Sequence, residues 1–195
     1  MKRRIFLAAL AAAFGFFTID GFEVHTGTAQ AQTRAQERDM ENTLYIDLEG
    51  GRVTIEMLPE VAPNHVARIK ELAREGFYDG VVFHRVIDGF MAQTGDPTGT
   101  GRGGSELPDL DAEFSDTKHG RGAVSMARAQ SPNSANSQFF IVFDDASFLD
   151  GQYTVWGQVT DGMELVDAIK RGEGSSGAVQ DPDRMIKVQV AADAQ

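Results

Sequence analysis

Residues 83–96 read FHRVIDGFMAQTGD, two short arms of alternating character on either side of Asp88-Gly89. Phe83, Arg85 and Ile87 fall on one side of a period-2 pattern and His84 and Val86 on the other. Asp-Gly between two apolar runs is a hairpin signal. The length of the turn then fixes what the hairpin can present. A three-residue turn over Asp88, Gly89 and Phe90, with Gly89 at positive φ, sets Arg85 opposite Gln93 and Ile87 opposite Met91. A two-residue turn slips the register by one and sends Arg85 and Gln93 to opposite faces. We read the three-residue turn, which places a permanently charged fork of donors beside an amide and a flexible thioether on one surface.

A second stretch, Gly122 to Phe143, reads GAVSMARAQSPNSANSQFFIVF. Together with the hairpin, in the same order and at the same separation, it resembles the signature of the cyclophilins, and the likeness extends over roughly residues 43–191. The resemblance implies a mainly β fold, a closed eight-stranded antiparallel barrel capped by two α-helices, and peptidyl-prolyl cis-trans isomerase activity. It also implies a site: Arg85 as the catalytic residue, with Phe90, Met91, Gln93, Ala127, Arg128, Gln138, Phe140, Phe148, Leu149 and Tyr153 around the substrate. Phe139 is assigned inward and Phe140 outward into the pocket. Phe148 stands where the best-known eukaryotic pattern has tryptophan and Tyr153 where it has histidine. Loss of the indole N–H at the pocket rim points to weak or no cyclosporin binding.

The residues support that outline independently. Leu44–Leu48 and Val53–Met57 alternate around Glu49-Gly50-Gly51 and predict a first hairpin. Pro63–Arg74 carries Val66, Ile69, Leu72 and Ala73 at helical spacing, with Asn64 as a candidate N-cap and Gly76 as a stop. Met163–Lys170 repeats the helical pattern. Further strands are expected at Glu113-Phe114, Gly122–Ala127, Gln138–Phe143, Tyr153–Val159 and Met185–Val190, with a loop over Ala129–Ser137. Trp156 reads as core. Residues 95–104, GDPTGTGRGG, do not fit a dinucleotide fingerprint, because a proline-broken segment and not a helix follows the glycines; they read as a surface loop.

At 195 residues with 42% hydrophobic content, one domain is expected, and the absence of cysteine rules out disulfides and thiolate metal sites. Lys2, Arg3 and Arg4, the apolar run Ile5–Ile19 and Ala29-Gln30-Ala31 predict a signal peptide over 1–31, since fifteen apolar residues fall short of the ~20 that span a bilayer. A tether over 32–42, the isomerase domain over 43–191 and a tail over 192–195 complete the plan. The expected location is the periplasm or the exterior, with no stable membrane insertion once the signal is cleaved. The net charge of −11 argues against nucleic-acid partners. No cofactor or metal is implied, the histidines being scattered without carboxylate clusters. A monomer that takes proline-containing peptides and folding chains is expected.

Rotating an X-Pro bond needs no nucleophile. The barrier of about 18–20 kcal/mol comes from amide resonance, and twisting returns the lone pair to nitrogen, so a donor aimed at that nitrogen favours the transition state. Two other readings stay open at this level: a peptide-binding chaperone of the same fold with little turnover, and an unrelated exported barrel that carries a small ligand.

Overall fold

The computed structural model describes Gln32, Gln36 and residues 39–194. The leader assigned to 1–31 lies outside them. Of the segment read as a tether, Glu41 pairs with Arg74 (2.8 Å) and Asn42 accepts from Lys70 Nζ (2.8 Å).

Eight strands form a single antiparallel sheet: β1 (Thr43–Leu48), β2 (Gly51–Met57), β3 (Arg85–Ile87), β4 (Met91–Thr94), β5 (Ala123–Arg128), β6 (Ala135–Val142), β7 (Val155–Asp161) and β8 (Lys187–Val190). Their order is β3-β4-β6-β5-β7-β2-β1-β8. Helix α1 spans Pro63–Arg74 and α2 spans Met163–Ala168, with short 3₁₀ turns at Ser147–Leu149 and Ala191–Asp193. The ends of the sheet, β3 and β8, share no ladder. Main-chain bonds join the neighbouring segments instead, as in Gly80 N–H to the Met185 carbonyl (2.7 Å) and Phe83 N–H to the Asp183 carbonyl (2.9 Å). The expected closed barrel is therefore corrected to an eight-stranded antiparallel sheet left open as a ladder. The return segment contains Pro182, which has no N–H to donate, and Gly172, Gly174 and Gly177, which resist regular extension.

Alternation sorts the faces as the sequence requires. Leu44, Ile46, Val53, Ile55 and Met57 enter one core with Phe139, Ile141 and Trp156, and α1 covers it with Val66, Ile69, Leu72 and Ala73. Phe139 stands edge-on to both Tyr78 (5.6 Å) and Trp156 (5.4 Å). Strand β6 is buried on both faces from Phe139 to Val142, which explains its unbroken apolar run. Phe140 and Val142 belong to a second cluster on the opposite face.

Three local expectations are revised. Glu113-Phe114 is not a strand. Asn64 does not cap α1; Ala62 occupies that position, and the carboxylate of Glu113 accepts from the main-chain N–H groups of Asn64 (3.1 Å) and His65 (3.0 Å). The helix start is thus satisfied from a residue far along the chain, which also takes His65 Nδ1 (2.6 Å). Burial lowers the His65 pKa, with the Glu113 carboxylate acting against it. Finally, Tyr153 precedes β7 and lies in the approach to it.

Candidate active site

The β3–β4 hairpin has the three-residue turn, with Arg85 opposite Gln93 and Ile87 opposite Met91. Gly89 at its tip has φ of 68°, a region other residues seldom enter. Because β4 pairs with β6, Gln93 also lies opposite Phe140, which carries the hairpin's polar pair to the face that bears the second cluster. The backbone register alone brings these groups together.

The second cluster gathers Met91, Phe140 and Leu149, buried, with Phe90, Ala127 and Tyr153 packed against them. Phe148 is 63% exposed on its 3₁₀ turn, its ring 5.3 Å from that of Phe90. Tyr153 stands edge-on to Phe140 (5.9 Å), and the guanidinium of Arg128 lies 4.5 Å over the Tyr153 ring. All eleven side chains expected from the sequence fall in this region.

A polar chain borders the cluster. Arg85 donates through Nε to the Ser176 carbonyl (3.1 Å) and through Nη1 to Gln93 Oε1 (3.1 Å). Gln93 Nε2 donates to Gln138 Oε1 (2.9 Å), and Gln138 Nε2 to the Gly103 carbonyl (2.8 Å). Arginine has no acceptor and a carbonyl has no donor, so both amides are forced into one orientation. The remaining guanidinium hydrogens have no partner among the described residues.

Sequence reading missed the support beneath. His119 is buried, stacked on Phe140 with ring centroids 6.4 Å apart, and bonds Asp150 Oδ1 through Nδ1 and Ser125 Oγ through Nε2, both at 3.0 Å. Hydrogen bonds from the His119 main chain and ring hold Asp150 at a pKa of about 2. This has the connectivity of a nucleophilic triad without the function: Ser125 is fully buried, and its hydroxyl donates to the Thr154 carbonyl (2.9 Å). The group props Phe140. No periodicity or spacing around His119 signals this.

The glycine-rich loop is organised around its own anion. Asp96 accepts main-chain N–H bonds from Thr98 (2.8 Å), Thr100 (3.1 Å), Gly101 (2.6 Å) and Gly103 (3.1 Å), so the donors a phosphate would need are already spent. Burial raises the carboxyl's pKa, but these bonds outweigh it and bring it from 3.8 to about 2. A depressed carboxyl stabilises the fold above pH ~4 and loses that contribution as pH falls towards 2, about 2 kcal/mol in all. Urea unfolding from pH 7 to 2.5 should therefore show the gap between parent and Asp96→Asn narrowing by about that amount below pH ~4. A gap independent of pH would remove the charge from the account.

A cavity of about 780 Å³ lies between the β1–β2 turn and the 181–186 segment and contains none of the expected residues. A cleft of about 540 Å³ adjoins Gln93, Gln138 and Arg128. Gln93 and Ala127 join this second cleft to the apolar cluster of Met91, Phe140 and Leu149.

Comparison with known proteins points to one family. Residues 43–190 match the family described as cyclophilin type peptidyl-prolyl cis-trans isomerase/CLD. A probable peptidyl-prolyl cis-trans isomerase of Brucella suis is 50% identical over 200 residues, covering 96% of this chain and 98% of the relative. Peptidyl-prolyl cis-trans isomerase B of Bacillus subtilis is 44% identical over 126 residues, 64% of this chain and 87% of the relative. Among solved structures, a cyclophilin from Hirschia baltica has a TM-score of 0.72 at 30% identity, over 80% of this chain and 76% of that one. A cyclophilin-type isomerase of Cryptosporidium parvum, solved in the presence of the dipeptide Ala-Pro, has a TM-score of 0.71 at 30% identity, over 76% of this chain and 98% of that one. The hairpin register, the two-faced β6 and these relatives lead to one conclusion: the chain belongs to the cyclophilin-type peptidyl-prolyl cis-trans isomerases and is an enzyme of that activity.

Proposed function

We propose that Arg85 accelerates X-Pro rotation by donating to the proline nitrogen as the amide twists, while Phe90, Met91, Phe140 and Leu149 hold the ring. The observation that carries this is the guanidinium pinned by Gln93 and Ser176 with hydrogens still unspent at the edge of an apolar cluster. A pinned donor needs no reorganisation when charge develops, which is where electrostatic catalysis gains most. The Cryptosporidium relative, solved in the presence of Ala-Pro, supports a proline-containing peptide as substrate. Isomerisation of a short proline peptide, read by coupled proteolysis, tests the reading; no acceleration over the spontaneous rate refutes it.

The substrates are exported or folding chains, on the reading of residues 1–31 as a signal. N-terminal sequencing of the exported form is expected to give Gln32. An uncleaved, membrane-held chain as sole product would overturn this.

Cyclosporin is expected to inhibit weakly. Phe148 offers an exposed ring and no donor where the eukaryotic pattern has an indole. Phe148→Trp should tighten inhibition by about 0.5–1.5 kcal/mol, one net hydrogen bond. Stoichiometric inhibition of the parent would refute the argument.

A further inference from the structure

In a chain of net charge −11, where an arginine lacks a carboxylate neighbour its charge is open to an acidic ligand. Arg52, Arg68, Arg74, Arg121 and Arg171 each pair with Asp or Glu. Among the described residues Arg85, Arg102, Arg128 and Arg184 have no such partner. Arg184 borders the larger cavity; the other three surround the 540 Å³ cleft, where Arg102 and Arg128 are in the lining and Arg85 reaches it through Gln93.

Their settings differ in a useful way. The Arg128 guanidinium donates to the carbonyls of Gln152 (3.0 Å), Ala129 (3.0 Å) and Gln130 (3.3 Å) and lies over Tyr153. Those partners fix its position but are neutral, so its charge is uncompensated. Arg102 is exposed, and its guanidinium has no hydrogen bond among the described residues. Its backbone is nonetheless held, because Gly101 and Gly103 on either side both donate to Asp96. A fixed charge and an anchored free fork thus share one cleft. Asp109, the one carboxylate in the lining, forms no ion pair with either and accepts from Asn136 Nδ2 (3.1 Å).

We propose that this cleft takes an acidic side chain of the peptide, so that the enzyme prefers X-Pro sequences carrying an aspartate or glutamate near the proline. The assignment rests on the reading of the adjoining apolar cluster as the proline site. A planar guanidinium fork matches a carboxylate, and a carboxylate side chain of two or three carbons fits the volume. The acidic remainder of the protein does not prevent it, since at physiological salt charges beyond about 8 Å are largely screened while the contact pair is not.

The experiment scans a single Glu, Gln or Lys through the positions flanking proline in a short peptide and measures kcat/KM with the full chain. At one position Glu should exceed Gln by roughly three- to tenfold, the range for partly exposed charge-assisted pairs, and Lys should fall below Gln. Arg102→Gln and Arg128→Gln should each reduce the Glu/Gln ratio. Arg102→Glu should turn the preference towards Lys. Equal rates for Glu and Gln at every position, or an unchanged ratio in Arg102→Glu, would overturn the proposal. Failure to isomerise any of the peptides would instead strike the proline-site reading.

Discussion

Arg85→Ala is expected to lower kcat/KM by roughly 10²–10³, the usual cost of removing one preorganised transition-state donor. Peptide affinity should change far less, because the proline nitrogen presents its lone pair to the guanidinium only as the bond twists. Arg85→Lys should recover part of the loss. An ammonium on a flexible stem has three donors but no planar fork to hold two of them on Ser176 and Gln93 while aiming the third at the substrate. The fold should survive, since Arg85 is half-buried and its two hydrogen-bond partners are neutral groups that water can satisfy. Isomerisation rates, thermal unfolding and peptide affinity of the three proteins decide the matter. A folded Arg85→Ala protein nearly as fast as the parent would remove Arg85 from the mechanism and favour a peptide-binding chaperone with little turnover.

Phe139→Ala should destabilise the protein by about 3–5 kcal/mol, as for other fully buried aromatics truncated in a core. In a domain of this size that lowers Tm by roughly 10 °C. The ring has no exposed surface and is wedged between Tyr78 and Trp156, so alanine leaves a cavity that these two aromatics cannot close. Phe140→Ala, one residue on, also removes a buried ring, yet its main effect should fall elsewhere. It takes the centre from the cluster that joins Met91, Leu149 and Tyr153, and kcat/KM per folded molecule should drop roughly tenfold or more. Measured at a temperature where both variants are folded, Phe139→Ala should isomerise close to the parental rate. Equal losses of activity in the two would mean that β6 does not separate core from site.

That separation was legible in the chain. A strand turns successive side chains to opposite faces, so once Gln138–Phe143 reads as a strand, Phe139 and Phe140 must part, and once the turn at Asp88-Gly89 is read as three residues, Arg85 must lie opposite Gln93. Helix α1 was likewise written in the spacing of Val66, Ile69 and Leu72 and in its flanking proline and glycine. These are features of period and local turn chemistry, settled within a few residues. The tertiary structure decided what depends on distant partners. Glu113 looked like a strand residue and serves as the cap of α1 because folding brings its carboxylate to two N–H groups that its own neighbours cannot reach. His119 looked like an isolated histidine and becomes the prop of Phe140 through Asp150 and Ser125. The loop at 95–104 looked merely glycine-rich and is a cradle filled by Asp96. Whether β3 and β8 meet as a ladder was beyond pattern altogether, because the chain returning between them is shaped by Pro182 and a run of glycines whose directions no periodicity prescribes. Alternation assigns a face from the residue itself, whereas a buried hydrogen bond needs its partner's position, and that exists only in the folded chain.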